Sequence, residues 1–163
     1  MKIMIFGDAA SGKSTFAKKL AVIENLPVIH LDEVMQAVGR TDRNSIASRI
    51  EKEVGEPNWI IDGNAFTKDK KLRIQESDLV IVFDFNRFYS LFNHLRRDFK
   101  FRTNQEIPVG NEKTPLHLTY FVPYILRQFP RRKKQAIQQA KSLDKAIIIF
   151  HNRKDASQYL KSR

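Results

Sequence analysis

Gly7-Asp8-Ala9-Ala10-Ser11-Gly12-Lys13-Ser14 has the form G-x-x-x-x-G-K-[ST], the phosphate-binding P-loop. Lys2–Phe6 before it is a short apolar run of strand character, and Thr15–Ala21 after it has helical spacing. That context matters, because a phosphate must meet free N–H groups at a helix N-terminus. Gly7 and Gly12 permit a backbone turn that side chains would obstruct. Lys13 brings a point charge to the β- and γ-phosphates of ATP, and Ser14 offers a hydroxyl to Mg2+. Gly7 through Thr15 are therefore the expected nucleotide-binding residues, with Lys13 also catalytic.

With 163 residues, a single domain spanning 1–163 is expected. There is no cysteine, which excludes disulfides, thiolate metal sites and thiol nucleophiles. Met1 to Phe6 is too short for a signal peptide and no apolar run approaches a membrane span. A soluble, cytoplasmic protein without a membrane partner is expected.

The net charge of +11 is unevenly spread. Residues 1–85 hold 12 Lys/Arg against 13 Asp/Glu, residues 86–134 hold 11 against 3, and residues 135–163 hold 6 against 2. The middle segment thus suits polyphosphate recognition; a DNA-binding face and a merely solvated basic face are the alternatives.

Five short continuous apolar runs read as strands buried on both faces: Lys2–Phe6, Pro27–Leu31, Trp59–Asp62, Leu79–Phe83 and Lys145–Phe150. Helical patterns fall between them at about 13–24, 42–54, 67–76 and 87–101, from Pro115 to Ser142, and from Arg153 to Lys161. Strands alternating with helices imply a parallel α/β sheet. The polar stretch 102–114, with Pro108 and Gly110, reads as a lid. Pro123 and Pro130 should kink or split the helical region beyond it. The apolar residues from Leu116 to Phe129 suit core packing, or else a dimer contact, which leaves monomer or homodimer open.

Ligands of open α/β sheets bind at the carboxyl ends of the strands. The second run ends in His30-Leu31-Asp32-Glu33, the third in Asp62-Gly63-Asn64 and the fourth in Asp84. Asp62 is the expected magnesium partner, partly through water, and Asp32 the acceptor-orienting residue or general base. Asp62, Gly63 and Asn64 should face the substrate together with Asp32. Asp84 precedes Asn86, which reads as a helix N-cap, so a structural role is expected for it. His30 reads as a core or turn histidine, and the four histidines lack metal-ligand spacing.

In the helix that follows, Phe88, Leu91, Phe92, Leu95 and Phe99 recur at three- and four-residue intervals and are expected to face the core. Asn93 and Arg97 project from another side, where Arg97 could meet a purine or a phosphate. The later cluster Arg127, Arg131, Arg132, Lys133 and Lys134 could neutralise a transferring phosphoryl group; Arg131 is taken as its catalytic representative.

The combination Met-Ile-Phe-Gly-Asp-Ala-Ala-Ser-Gly-Lys-Ser, Ile-His-Leu-Asp, Trp-Ile-Ile-Asp-Gly-Asn and Ile-Val-Phe-Asp-Phe-Asn-Arg-Phe resembles the FlaR-type DNA topology modulation proteins. These are small P-loop proteins related to adenylate and shikimate kinases. The resemblance covers essentially the whole chain. It implies a P-loop NTPase three-layer α/β/α fold of nucleoside-monophosphate-kinase type, with five parallel strands in the order 2-3-1-4-5. It also implies an acceptor-binding region at about 32–57, a helical lid at about 100–130, and an adenine site near His151, Asn152 and Arg153. Where adenylate kinases follow the third-strand Asp-Gly with Pro-Arg, this chain has Asn64-Ala65-Phe66; where they carry two lid-proximal arginines, it has Asn93 and Arg97. The leading expectation is a phosphotransferase or ATPase that uses ATP and Mg2+ on a small acceptor. The alternative is a nucleotide-gated DNA-associated regulator.

Overall fold

The computed structural model of the protein describes residues 1–8, 10–38, 42–64, 70–102 and 122–163. The strands are β1 (Lys2–Gly7), β2 (Val28–His30), β3 (Trp59–Asp62), β4 (Leu79–Phe83) and β5 (Ala146–Phe150). The helices are α1 (Lys13–Glu24), α2 (Leu31–Val38), α3 (Arg43–Gly55), α4 (Lys70–Glu76), α5 (Arg87–Arg102), α6 (Phe129–Ser142) and α7 (Arg153–Lys161). A π-helical turn, Tyr124–Gln128, leads into α6.

All strand pairings are parallel, in the order β2-β3-β1-β4-β5, with β1 at the centre. Alternate residues of each strand point to opposite faces. Met4 and Phe6 join Trp59, Ile61, Val80 and Val82 under α2, α3, α4 and α6. Ile3 and Ile5 join Ile60, Ile81 and Phe83 under α1 and α7. Both faces are covered, which is why each strand reads as an unbroken apolar run.

The register brings the strand ends to one level. His30 lies beside Asp62, Asp62 beside Ile5, Gly7 beside Phe83, and Phe83 beside Phe150. Everything that follows these residues therefore leaves the same edge of the sheet.

Two sequence expectations need correction. The second strand stops at His30, and Leu31 opens α2 instead of closing the strand. Leu31 is fully buried, so the helix starts where that side chain docks, and Asp32 and Glu33 fall in its first turn, where acids suit the helix dipole. Secondly, the apolar stripe of α5 does not face the core. Phe88, Phe92 and Phe99 are 67%, 63% and 67% exposed, whereas Ser90 is buried. Periodicity identifies a face but not the direction in which it is turned. Around Pro130, the π-helical turn Tyr124–Gln128 leads into α6, and Pro130 sits in the first turn of that helix.

The N-cap expected at Asn86 is present, its side chain accepting the Phe88 N–H at 2.9 Å, and Asp42 likewise caps α3 by accepting the Ser45 N–H at 3.0 Å. The proposed lid stretch 102–114 lies almost wholly outside the described residues, as do Leu116, Leu118, Tyr120 and Phe121. No described helix is long and apolar enough to cross a membrane.

Candidate phosphate-binding site

The site is built where β1 ends. Gly7 has φ +146°, and a Cβ on it would lie 2.3 Å from the Phe83 carbonyl oxygen, so only glycine fits beside β4. Gly12 has φ +92° and nothing within 4 Å of a Cβ position, which marks open space over the loop. Gly12 is also the N-cap of α1 and provides no side-chain acceptor to it. The positive end of the α1 dipole thus faces the loop without a side-chain cap from Gly12, as suits an anion.

Side chains brace the loop from both sides. Asn64 accepts the Gly7 N–H at 3.0 Å and donates its amide to the Gly7 carbonyl at 2.6 Å. Ser11 donates its hydroxyl to the Asp8 carbonyl at 2.7 Å. Lys13 Nζ donates to the same carbonyl at 2.5 Å, folded back over the loop it serves. Arg153 reaches the loop from the far side, donating to the Ala10 carbonyl at 3.3 Å with its guanidinium 5.9 Å from the Tyr89 ring. Asn152, expected beside adenine, caps α7 by accepting the Asp155 N–H at 3.0 Å.

On the β2–β3 side, the half-buried His30 pairs with the buried Asp62, Nδ1 and Oδ2 lying 3.1 Å apart. Asp62 Oδ1 and His30 Nε2 are buried without a hydrogen-bond partner. The bond to Asp62 raises the His30 pKa above its ordinary 6.5, against the opposing effect of burial. A raised histidine pKa stabilises the fold fully below 6.5, and the gain is lost as pH rises through the folded value. Thermal stability should therefore fall across that interval in the wild type and stay flatter in His30→Gln. A scan of Tm against pH with identical slopes in both proteins would refute the link.

Magnesium suits these residues. Ser14 is exposed on the first turn of α1 and Asp62 holds an unpartnered carboxylate oxygen. One hydroxyl and one carboxylate fit an ion that takes its remaining ligands from phosphates and water. Among the described residues there is no group of three or more His, Cys, Asp and Glu that would form an all-protein cage.

The remaining candidates separate. Gly63, at φ +146°, packs so closely on Leu31 that a Cβ would lie 2.7 Å from the Leu31 Cβ. Asp32 is exposed in the first turn of α2. Arg127, Arg131 and Arg132 are exposed, and Thr15 is exposed on α1. Ala9 and the side chain of Arg97 lie outside the described residues.

Sequence reasoning placed Lys133 only within a cationic cluster, yet it is the buried cation of the site. Its Nζ lies 2.8 Å from Asp8 Oδ2 and 2.5 Å from Asp84 Oδ1. Burial pushes the Asp8 carboxyl above the usual carboxylate range, and the bond from Lys133 opposes that push. A second basic group, not foreseen as a set, lies between α4 and α6. Burial and then the charges of Arg73 and Arg132 pull the Lys70 ammonium below its ordinary range. The spacing of Lys70 and Arg73, one helical turn apart, was the available signal.

No protein-family model matches the chain, and no curated protein matches it. Solved structures do. A shikimate kinase from Bacteroides thetaiotaomicron is 16% identical and superposes with a TM-score of 0.61, over 99% of this chain and 95% of that one. The fold is that of the P-loop kinases. A deoxyadenosine kinase from M. mycoides, solved with dCMP and a flexible dCDP, is 12% identical with a TM-score of 0.60, over 99% and 96% of the two chains. The YorR protein from Bacillus subtilis, solved with phosphorylated GDP, is 12% identical with a TM-score of 0.52, over 99% and 92%. At these identities the likeness is one of architecture, and activity must be argued from the residues.

Proposed function

We propose that this chain is a small phosphotransferase that moves the γ-phosphate of Mg-ATP to a small acceptor. The supporting observation is the P-loop itself: a glycine-turned strand end, a helix N-terminus whose cap, Gly12, has no side chain, and a lysine that folds back over the loop. Lys13 exchanges its bond to the Asp8 carbonyl for the β- and γ-phosphate oxygens. The N–H groups of the first turn of α1 hold the phosphate chain. Ser14 and Asp62 hold the magnesium ion, which when bound supplies positive charge to the transferring phosphoryl group. Arg97 and Arg131 are the arginines assigned to that group, and Arg153, already on the loop, borders the nucleotide.

The acceptor enters beyond β2 and β3, where Asp32 orients its nucleophile and Asn64 holds the loop edge between the two substrates. The region 32–57 and the lid around 100–130 complete one domain. The motifs from Trp59 to Asn64 and from Asp84 to Phe88 support placing the chain beside the FlaR-type proteins.

A panel of sugars, nucleosides, nucleoside monophosphates and hydroxy acids, assayed for ADP release from Mg-ATP, tests this reading. At least one acceptor should raise release well above the acceptor-free rate, and Asp32→Asn should lower the acceptor-dependent rate about a hundredfold. Release that no acceptor stimulates would count against a phosphotransferase.

A further inference from the structure

The P-loop motif leaves residue 8 open to any side chain, yet Asp8 gathers the loop's contacts. Its carboxylate Oδ2 accepts the Phe85 N–H at 2.7 Å and the Lys133 ammonium at 2.8 Å. Its main-chain carbonyl accepts the Ser11 hydroxyl at 2.7 Å and the Lys13 ammonium at 2.5 Å. One residue thus ties the exit of β4, the helix α6 and the catalytic lysine to the same point of the backbone.

Burial raises the stakes of that arrangement. Asp8 is 2% exposed and Lys133 7%. A carboxylate in such a place persists only with charged or hydrogen-bonded partners, and removing one partner strands the other. Lys133 is itself held by Asp84 Oδ1 at 2.5 Å, with its ammonium 5.6 Å from the centre of the Phe129 ring. Two carboxylates already occupy this ammonium, so its job is to fix Asp8 and not to meet the substrate.

We propose that Lys133 is a positioning residue of the nucleotide site. By clamping Asp8 to α6 it sets the backbone from which Lys13, Ser11 and the first turn of α1 are presented to a triphosphate. This rests on the phosphotransferase reading above. Asp84, only partly exposed, shares the cation and extends the clamp to the end of β4.

The test uses the full chain with two readouts, thermal unfolding and titration with Mg-ATP carrying a fluorescent ribose label. Lys133→Met strands the Asp8 carboxylate, so Tm falls and the labelled nucleotide binds about tenfold more weakly or worse. The double variant Asp8→Asn with Lys133→Met removes the stranded charge and keeps an oxygen for the Phe85 N–H. Its Tm returns toward the wild-type value while binding stays about tenfold weak, because the clamp is still missing. Affinity that recovers together with Tm overturns the proposal, since the pair would then only neutralise charge. Unchanged affinity in Lys133→Met overturns it as well. A wild-type protein that does not bind the labelled Mg-ATP overturns the phosphotransferase reading itself, and that result precedes every variant.

Discussion

Lys13→Ala is expected to reduce phosphoryl transfer by at least about a hundredfold while leaving the protein folded. The asymmetry follows from what the side chain touches. Its ammonium donates to the Asp8 carbonyl and, at 3.4 Å, lies near the Ser11 hydroxyl. Loss of such part-buried bonds costs stability only about 1 kcal/mol. On the proposed reading, the same ammonium would face the charge spread over the equatorial oxygens of the moving phosphoryl group, and no other described side chain on the loop carries a cation there. Single-turnover ADP formation together with far-UV circular dichroism separates the two effects. A variant that is folded and transfers phosphate at the wild-type rate would remove Lys13 from the chemistry.

The second large effect falls on Gly7, with Gly12 as its control. A methyl group on Gly7 would meet three Phe83 atoms, the carbonyl oxygen at 2.3 Å, Cβ at 2.6 Å and the main-chain nitrogen at 2.6 Å. Two of these are backbone of the neighbouring strand, so no rotamer change relieves the clash. Overpacking and backbone strain together put Gly7→Ala at about 3–5 kcal/mol of destabilisation. For a chain of this size that lowers Tm by roughly 10 °C. Gly12→Ala shares the positive φ but meets nothing within 4 Å, so it should cost only about 1–2 kcal/mol. Denaturant unfolding of both variants measures the difference directly. Equal losses would mean that strain, and not the approach of β1 to β4, governs the corner.

The sheet was legible because both of its faces are covered. Residues such as Ile3, Ile5, Ile60 and Ile81 on one side and Met4, Phe6, Ile61 and Val82 on the other leave no polar position inside the strands. The P-loop was legible for the opposite reason: its chemistry is local, with glycines, lysine and serine a few residues apart. Helix α2 was not legible, because its first residue, Leu31, continues the apolar run of β2 without a capping signal. The direction of the α5 stripe was equally hidden, since spacing is the same whether a face is turned inward or outward. Lys133 escaped for a third reason, because its partner Asp8 lies 125 residues away and nothing near either residue announces the pair. His30 is an intermediate case. Its place at a strand end was visible, but the bond to Asp62 depends on the register of β2 against β3.

The reach from residue 8 to residue 133 also bears on how the molecule assembles. A loop that looks self-contained in the sequence is closed by a contact spanning most of the chain. Such contacts carry the loop-closure entropy of everything between them and form late in folding. The central strand β1 likewise waits for β3 and β4 on its two sides. A chain in which α6 has not docked leaves Asp8 without its Lys133 partner. On the proposed reading, nucleotide affinity should therefore appear together with the completed fold and not before it.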